Sequence, residues 1–303
     1  MCNRLPRLYR AAVRETNVQE RPRGFKPGRK SGEASSMSEL PAYEVYAIKY
    51  AHLFRHSPEN FIGGDEHDVP MPLDYFIWAI KGKDRSFILD TGFSPEMGAK
   101  RKRQHLRSPA IGLKAIGIEP DAVQDVIISH MHYDHSGNHD LFPNAQFHLQ
   151  DREMAYCTGR CMGHANLRGA FEAEDVVAMV RRIFTGRARF HDGDGTVAPG
   201  ITVHRVGGHT SGLQITRVMT RRGWMVLASD ASHFYANFQQ FRPFPVVANV
   251  VEMLEGYRTM NALASAPDAI IPGHDPLVMK QYPAAAPGLE DLVVRLDADP
   301  RAV

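Results

Sequence analysis

The sequence of 303 residues contains three cysteines, two tryptophans and no long apolar segment. The three cysteines, Cys2, Cys157 and Cys161, are too few for a disulfide framework, so we expect reduced thiols and a cytoplasmic protein. No stretch reaches the roughly 18 consecutive apolar residues of a transmembrane helix, so the sequence predicts no membrane-spanning segment. No second cysteine pair accompanies Cys157 and Cys161, and we expect both side chains to pack rather than to bind a metal.

The chain also lacks a strong overall charge, because 36 Arg and Lys nearly balance 34 Asp and Glu. This balance hides a basic segment. Residues 1–36 hold nine Arg or Lys and three Glu, a net charge of +6, which leaves −4 on residues 37–303. The segment is rich in Pro, Gly and Ser and has few periodic apolar residues, so its composition predicts a disordered arm. We expect the native protein to begin at Met37.

Alternating apolar and polar residues predict a series of strands from Tyr43 onwards. LDYFIWAI (73–80) and SFILD (86–90) flank KGKD, a sequence typical of a hairpin turn. ITVHRVGG (201–208) and WMVLASD (224–230) predict two further strands around a second hairpin, with its turn at TRRG.

Helical spacing marks two longer segments, residues 173–184 and 249–265. A cationic stretch, KRKRQHLRS (100–108), predicts the solvated face of a helix. The aromatic segment 233–245 has neither helical nor strand spacing, and we expect a loop that walls an apolar pocket. Strands and helices are interspersed without an internal repeat, which predicts a layered α/β domain.

Residues 129–139, SHMHYDHSGNH, hold four histidines and one aspartate. A neutral imidazole is the commonest metal ligand, and a neighbouring carboxylate suits a divalent cation, so this segment predicts a metal site. Apolar strands run into a His or Asp at four other places, which carry Asp90, His209, Asp230 and His274. Open α/β sheets place their ligand sites where strands end, so we expect these side chains to meet.

Apart from Asp90, these residues are enough for two metal ions that each take three or four nitrogen or oxygen ligands. The sets are His130, His132 and His209 for one ion and Asp134, His135 and His274 for the other. Asp230 can bridge the two ions with one oxygen on each. Two zinc ions about 3.5–4 Å apart can polarise a carbonyl and activate water for hydrolysis.

HMHYDH (130–135) matches the His-x-His-x-Asp-His signature of the metallo-β-lactamase fold superfamily. GGHTSG, ASDAS and PGHDP resemble the remaining ligand motifs and occur in the same order. Over residues 42–283 the chain most resembles the N-acyl homoserine lactonase branch, including its 4-pyridoxolactonase-like members. The resemblance implies that residues 37–303 form a catalytic domain with a four-layer αββα sandwich. It also implies two Zn²⁺ per chain, with other divalent metals as alternatives, and a supporting role for Asp90.

The resemblance further implies hydrolytic opening of a lactone ring. An N-acyl homoserine lactone, the substrate in quorum quenching, is the first expectation, and a 4-pyridoxolactone-like lactone, a thioester or a phosphodiester is the alternative. We expect Asp134 to pass a proton to the departing alkoxide. In the best-known lactonases a Tyr three residues after the bridging Asp contacts the substrate carbonyl. Here His233 has that position and Tyr235 follows two residues later, so both are candidate donors, with His233 favoured by position.

Other classes of protein could use a similar site. A nuclease or phosphodiesterase would need a basic channel, and the net charge of −4 on residues 37–303 disfavours one. An oxygen-reducing di-iron protein on this scaffold usually has Glu at the position of His132, and we expect no flavin domain. A thioester hydrolase is a further alternative that the sequence does not exclude. We expect a small lactone as the partner, with neither nucleic acid nor membrane, and we allow for a homodimer.

Overall fold

The computed structural model describes residues 40–301, so the predicted arm of residues 1–36 lies outside the described residues. The described part contains thirteen strands in two sheets. In chain order they are β1 (Glu44–Leu53), β2 (Leu73–Lys81), β3 (Ser86–Leu89), β4 (Gln104–His105), β5 (Asp125–Ile127), β6 (Gln146–Gln150), β7 (Ala188–His191), β8 (Gly195–Ala198), β9 (Ile201–Arg205), β10 (Gln214–Thr220), β11 (Gly223–Ser229), β12 (Ile270–Pro272) and β13 (Val293–Arg295).

Nine α-helices connect these strands within residues 40–301. They are α1 (Pro95–Lys100), α2 (Pro109–Ala115), α3 (Tyr133–Ser136), α4 (Asp151–Cys157), α5 (Ala165–Arg168), α6 (Ala173–Phe184), α7 (Tyr235–Gln239), α8 (Val250–Leu263) and α9 (Leu277–Gln281). Short 3-10 helices lie at Ser57–Asn60, Pro120–Ala122, His139–Leu141, Arg160–Gly163 and Pro267–Ala269. None of the helices in this range is both long and apolar enough to cross a bilayer.

The first sheet has the strand order β13-β1-β2-β3-β5-β6-β7, and β4 pairs with β1. Its strands β3, β5, β6 and β7 are parallel, so their carboxyl ends lie at one edge. The second sheet has the order β12-β11-β10-β9-β8 and is antiparallel except for the parallel pair β11–β12. This topology brings the ends of β3 and β5 together in one sheet and those of β11 and β12 together in the other.

Alternation along β2 shows how the layers pack. Phe76 and Trp78 belong to the core that the first sheet shares with the second, whereas Tyr75 and Ile77 face the opposite side. Helices α2 and α6 cover that opposite side, and α8 joins the core of the second sheet. Both faces of β2 are therefore buried, which explains its almost uninterrupted apolar sequence. The resulting order of helices, sheet, sheet and helices is the predicted αββα sandwich.

Local sequence signals fix several helix starts. Ser94 and Ser108 are the N-caps of α1 and α2, and each is followed by a proline at the first helical position. Asn249 caps α8 by accepting hydrogen bonds from the backbone N–H groups of Val251 and Glu252 at 3.0 and 3.2 Å. These caps satisfy donors that the first turn of a helix otherwise leaves without partners.

The structure confirms the first predicted hairpin, β2–β3, and the helices predicted at 173–184 and 249–265. The prediction for the second hairpin was wrong in one partner. The turn at TRRG joins β10 to β11, and ITVHRVGG provides β9, which pairs with the other side of β10. The sequence pattern did not predict β10, because the polar residues Gln214 and Thr216 occupy fully buried positions in this strand.

Two other sequence predictions were wrong, the first in full and the second in its secondary structure alone. The cationic stretch 100–108 is not a helix face, because α1 ends at Lys100 and residues 104–105 form β4. Arg101 and Arg103 instead line a pocket described below. The segment 233–245 contains the short helix α7, which the sequence did not reveal because its aromatic side chains follow no regular spacing.

Close packing of α2 on β1 gives a test of the fold. A Cβ added to Gly112 would lie 2.3 Å from Cγ2 of Ile48, a fully buried side chain that has little room to move. We expect Gly112→Ala to lower the free energy of unfolding by about 1–3 kcal/mol, measured by urea denaturation. Gly163→Ala is the control, since no atom lies within 4 Å of the added Cβ, and its stability should stay close to wild type. Equal stability of the two variants would contradict this packing.

Candidate metal centre

The residues predicted to bind metal lie at the ends of strands, where the two sheets meet. In the first sheet Asp90 follows β3, and the segment from His130 to His135 follows β5 and enters α3. In the second sheet His209 follows β9, Asp230 follows β11, and His274 follows β12. All seven predicted ligands and Asp90 are buried. The fold therefore brings into one cluster residues that are up to 144 positions apart in the sequence, from His130 to His274.

One group consists of His130, His132, His209 and Asp230, which could hold a metal ion. Nδ1 of His132 lies 3.0 Å from Nε2 of His130 and 2.9 Å from Nε2 of His209. Oδ2 of Asp230 lies 3.1 Å from Nε2 of His209 and 3.8 Å from Nε2 of His130. Ligands about 2.0–2.1 Å from a tetrahedral zinc ion are separated by roughly 3.3 Å, so these donor atoms have suitable spacing for zinc.

A second group consists of Asp134, His135 and His274. Nε2 of His135 lies 3.7 Å from Oδ2 of Asp134, and Nε2 of His274 lies 4.0 Å from the same oxygen. Oδ1 of Asp230 faces this group, at 3.2 Å from His135 Nε2 and 2.9 Å from His274 Nε2. Each oxygen of Asp230 therefore serves a different group, as a bridging carboxylate would.

Hydrogen bonds on the far side of three imidazoles determine which ring nitrogen faces the cluster. Nδ1–H of His209 donates to the carbonyl of Val246 at 2.6 Å, and Nδ1–H of His274 donates to the carbonyl of Asp74 at 2.9 Å. Nδ1–H of His135 donates to Oδ2 of Asp90 at 2.7 Å. Carbonyl and carboxylate oxygens only accept, so Nε2 of each ring keeps its lone pair for a metal. The donor set fits divalent metal ions.

Burial and neighbouring charged groups change the pKa values of the cluster in opposite directions. Burial lowers the pKa of His130 and His132 well below the usual value, which favours neutral imidazoles. Burial would raise the pKa of Asp230, but the surrounding histidines, with His233 first among them, hold it well below its usual range. The pKa of His135 is raised, because its three neighbouring carboxylates outweigh its burial. The cluster therefore combines imidazoles that burial keeps neutral with a carboxylate, Asp230, that its histidine neighbours keep ionised.

Asp90 supports the cluster through a buried hydrogen-bond network. Its Oδ1 accepts from the backbone N–H of Ser129 at 2.7 Å, and its Oδ2 accepts from the Ser129 hydroxyl at 2.8 Å. The hydroxyl oxygen of Ser229 lies 3.2 Å from Oδ2 of Asp90 and 2.9 Å from Oγ of Ser129. Asp90 and Ser229 both have positive φ, 65° and 45°, a conformation that non-glycine residues rarely adopt. The predicted supporting position of Asp90 is thus where the structure places it, beside His135.

Glu153 in α4 is a supporting residue that the sequence did not suggest. Its carboxylate is buried and accepts from the backbone N–H of Met131 at 2.8 Å, the hydroxyl of Thr210 at 2.7 Å and the N–H of Gly212 at 3.1 Å. Burial raises its pKa, and these three donors oppose that change. Glu153 therefore ties the loop that carries His130 and His132 to the loop that carries His209, and no local pattern marks this long-range role.

A cavity of about 240 Å³ opens over the cluster. Five of the seven predicted ligands line it, namely His132, Asp134, His209, Asp230 and His274. Apolar walls come from Leu53, Leu73, Phe244 and Val246. Phe244 lies in the aromatic segment 233–245, which was expected to wall a pocket. A separate cleft of about 930 Å³ is lined by His67 and other residues of the loop 57–71, and no residue of the cluster lines it.

The two candidate carbonyl donors have different surroundings. His233 lines the cavity, its ring stacks on Phe244 with 3.6 Å between centroids, and its Nε2 lies 3.1 Å from Oδ2 of Asp230. Burial lowers the pKa of His233 to about 3. The structure does not bring Tyr235 to the cavity, because its side chain packs in the core with Phe238 and Tyr282.

The part of the sequence that contains the predicted ligands matches the model of a known family. A family model described as the metallo-beta-lactamase superfamily matches residues 71–274, which is more than half of the chain and includes every predicted ligand. The chain belongs to the metallo-beta-lactamase superfamily. This membership confirms the family and the fold that the His-x-His-x-Asp-His motif predicted.

Several members of the superfamily with known names are similar to this chain. The N-acyl homoserine lactonase of Bacillus cereus is 25% identical over 164 residues, which cover 54% of this chain and 60% of that protein. N-acyl homoserine lactonase AttM of Azorhizobium caulinodans is 27% identical over 182 residues, 59% of this chain and 68% of that protein. The alignment with the Bacillus cereus relative therefore spans less than two thirds of its length.

Solved structures of the superfamily share the fold over a larger part of the chain. A quorum-quenching N-acyl homoserine lactone lactonase has 22% identity and a TM-score of 0.64, and the match covers 80% of this chain and 95% of that one. AidC, a dizinc quorum-quenching lactonase, has 16% identity and a TM-score of 0.61, with 78% and 89% covered. At these identities the match is evidence for the fold alone.

The two donor groups predict how much metal the protein binds. We expect about two metal ions per chain by elemental analysis of gently purified protein, because seven ligand-type residues exceed the needs of one four-coordinate ion. Asp230→Ala should lower the content of both ions, since each Asp230 oxygen faces a different group. His148→Ala is the control, because this buried histidine pairs with Asp125 outside the cluster and should not change metal content. One ion or fewer at saturation would contradict a dinuclear site.

Proposed function

We propose that this chain is a metal-dependent hydrolase that opens lactone rings, with N-acyl homoserine lactones as the first substrates to test. The observation that carries the proposal is the pair of donor groups that share Asp230 at the floor of a cavity. The names of the relatives from Bacillus cereus and Azorhizobium caulinodans support a lactone rather than another ester. Two zinc ions per chain are the proposed cofactors.

In this proposal the chain's own residues bind and orient the substrate. Two bound zinc ions would supply Lewis-acid chemistry, which polarises a carbonyl and lowers the pKa of water. Leu53, Leu73 and Val246 would pack against the body of the lactone and exclude bulk water from the reacting carbonyl. The ester carbonyl would lie over Asp230, near His233 on the cavity wall.

Asp134 is the proposed residue for proton transfer. Its carboxylate belongs to the second donor group and also lines the cavity proposed for the substrate. Opening of the ring leaves an alkoxide, which must gain a proton before the hydroxy acid departs. The Asp134 carboxylate can take a proton from the attacking water and pass it to that oxygen, a contribution typically worth about 10²–10⁴ in rate.

A hydrolysis screen with zinc-loaded protein tests the proposed function directly. The panel contains N-acyl homoserine lactones, aromatic lactones, thioesters and phosphodiesters, and the readout is acid release at constant pH or separation of products by chromatography. We expect turnover of lactones, loss of activity after chelation and recovery with zinc. Turnover of only thioesters or phosphodiesters, with every lactone left intact, would overturn the proposal.

The position of His233 predicts a kinetic difference between two variants. A donor that stabilises the developing oxyanion is typically worth about 10²–10³ in rate, and the neutral imidazole has one N–H to donate. We expect His233→Ala to lower kcat at least about tenfold and Tyr235→Phe to change it little, because Tyr235 packs in the core. The measurement is kcat at saturating substrate, with metal content determined for each variant.

The metal content separates two roles for His233. Loss of kcat with both ions retained identifies a donor to the substrate. Loss of metal identifies a residue that supports the metal site, either through its 3.1 Å contact with Asp230 or as a ligand in the group of Asp230, His233 and His274. A larger effect of Tyr235→Phe than of His233→Ala would transfer the donor role to Tyr235 and contradict the prediction.

A further inference from the structure

Three arginines line the cavity above the donor groups: Arg55, Arg101 and Arg103. The charge of Arg101 is balanced, because its Nη2 lies 2.7 Å from Oε1 of Glu172 and its Nη1 donates to the carbonyl of Gly169 at 2.9 Å. The other two guanidinium groups have no such close carboxylate within residues 40–301: Nη2 of Arg55 donates to the carbonyl of Glu59 at 2.5 Å, and its closest carboxylate oxygen is 3.9 Å away. Their positive charge is therefore less fully balanced by the protein than that of Arg101.

Arg103 is held by neutral groups. Its Nε donates to the hydroxyl of Tyr133 at 3.1 Å and its Nη1 to the carbonyl of Arg101 at 2.8 Å. Among the described residues no carboxylate oxygen forms an ion pair with it. Tyr133 directly precedes Asp134, and its hydroxyl lies 3.4 Å from that of Tyr75. The ring of Tyr75 in turn packs edge-on against His274, so Arg103 lies only a side chain or two from the donor groups.

Arg55 lines the same cavity beside Phe244. Its guanidinium carbon lies 5.0 Å from the ring centroid of Phe244, and this ring stacks on His233. The nearest carboxylate oxygen belongs to Glu59, a largely exposed side chain 3.9 Å from Nε of Arg55. That Nε is buried without a hydrogen-bond partner. Burial, together with the charge of Arg103, lowers the pKa of Arg55, although the Glu59 carboxylate opposes this change.

The cavity contains two carboxylates to balance these cations, Asp134 and Asp230, and both belong to the donor groups. With metal ions bound, the negative charge of Asp134 and Asp230 would be balanced by the ions and would not compensate the arginines. A neutral acyl chain would then leave two partly buried guanidinium groups without a counter-charge, which is unfavourable in a cavity of about 240 Å³. A carboxylate on the substrate would supply that charge and could accept paired hydrogen bonds from a guanidinium fork.

We infer that the preferred substrate is an acidic lactone, whose carboxylate outside the ring is bound by Arg55 and Arg103. This inference rests on the proposed lactonase function and names its substrate class. Arg55 and Arg103 are binding residues for that carboxylate. The apolar wall formed by Leu53, Leu73 and Phe244 contacts the remainder of the molecule.

Matched pairs of homoserine lactones test the inference. Each pair carries a dicarboxylic acyl group, such as malonyl, succinyl or glutaryl, either with its free carboxylate or with that carboxylate as the primary amide. The two members have nearly equal size and differ in charge. With zinc-loaded wild type we expect kcat/KM at least about tenfold higher for the acid in the best pair, as befits a charged hydrogen bond.

Substitutions assign the effect to the arginines. Arg103→Gln and Arg55→Gln should each raise KM for the acid about tenfold or more and leave the amide within about threefold of wild type. Arg107→Gln is the matched control, because Arg107 belongs to the same cationic stretch but donates to the carbonyl of Asp291 outside the cavity. Arg107→Gln should leave the KM of both the acid and the amide unchanged. A melting curve of each variant shows whether it is folded. If one of the two arginine variants does not fold, the other still tests the inference.

Binding of simple anions gives a second measurement that needs no turnover. Calorimetry of zinc-loaded protein should show tighter binding of succinate than of acetate, and Arg103→Gln or Arg55→Gln should remove this difference. If no lactone of either kind is opened, the proposed function fails, and the succinate titration still decides whether the arginines bind a carboxylate.

Two results would overturn the inference while leaving lactone hydrolysis intact. One is equal kcat/KM for acid and amide in every pair. The other is an equal loss for both substrates in Arg103→Gln, which would mean that the arginine acts on the carboxylate produced from any lactone.

Discussion

The carboxylate of Asp230 is the interaction on which the site depends. Its two oxygens are within 3.2 Å of four imidazoles, which belong to α3 and to the segments after β9, β11 and β12: His135, His209, His233 and His274. The side chain is buried, and a carboxylate without partners there would be very unfavourable. Its position at the end of β11, between the two sheets, lets one residue organise both donor groups.

Strained backbone helps to hold this arrangement. Ser229, directly before Asp230, and Asp90, at the end of β3, both adopt positive φ, which costs on the order of 1–3 kcal/mol per residue. The hydroxyl of Ser229 donates to Oγ of Ser129 at 2.9 Å, and Ser129 donates twice to Asp90. These bonds connect the ends of β3, β5 and β11, so the strain is maintained by contacts between two sheets.

The seven candidate ligands could be predicted from sequence because each follows an apolar strand, and the signature 130–135 supplies four of the seven. The fold class followed from the same motif. Residues that act across long distances could not be predicted. Glu153 joins two loops that are about 80 residues apart, and Arg103 turns inward because Tyr133 accepts its Nε–H. Strand β10 was missed for a related reason, since its buried Gln214 bonds to the carbonyl of Ile128 in the other sheet.

Contribution of donors by both sheets has a consequence for thermodynamic linkage. His130 to His135 extend from the first sheet, and His209, Asp230 and His274 extend from the second, so a bound ion would cross-link segments that separate on unfolding. A ligand that binds only the native state adds stability according to its concentration, about 4 kcal/mol at a thousand times Kd. Proteases cleave mainly the unfolded chain, so the protein would be more resistant to proteolysis with its ions bound than without them. The cellular supply of metal would then set its lifetime as well as its activity.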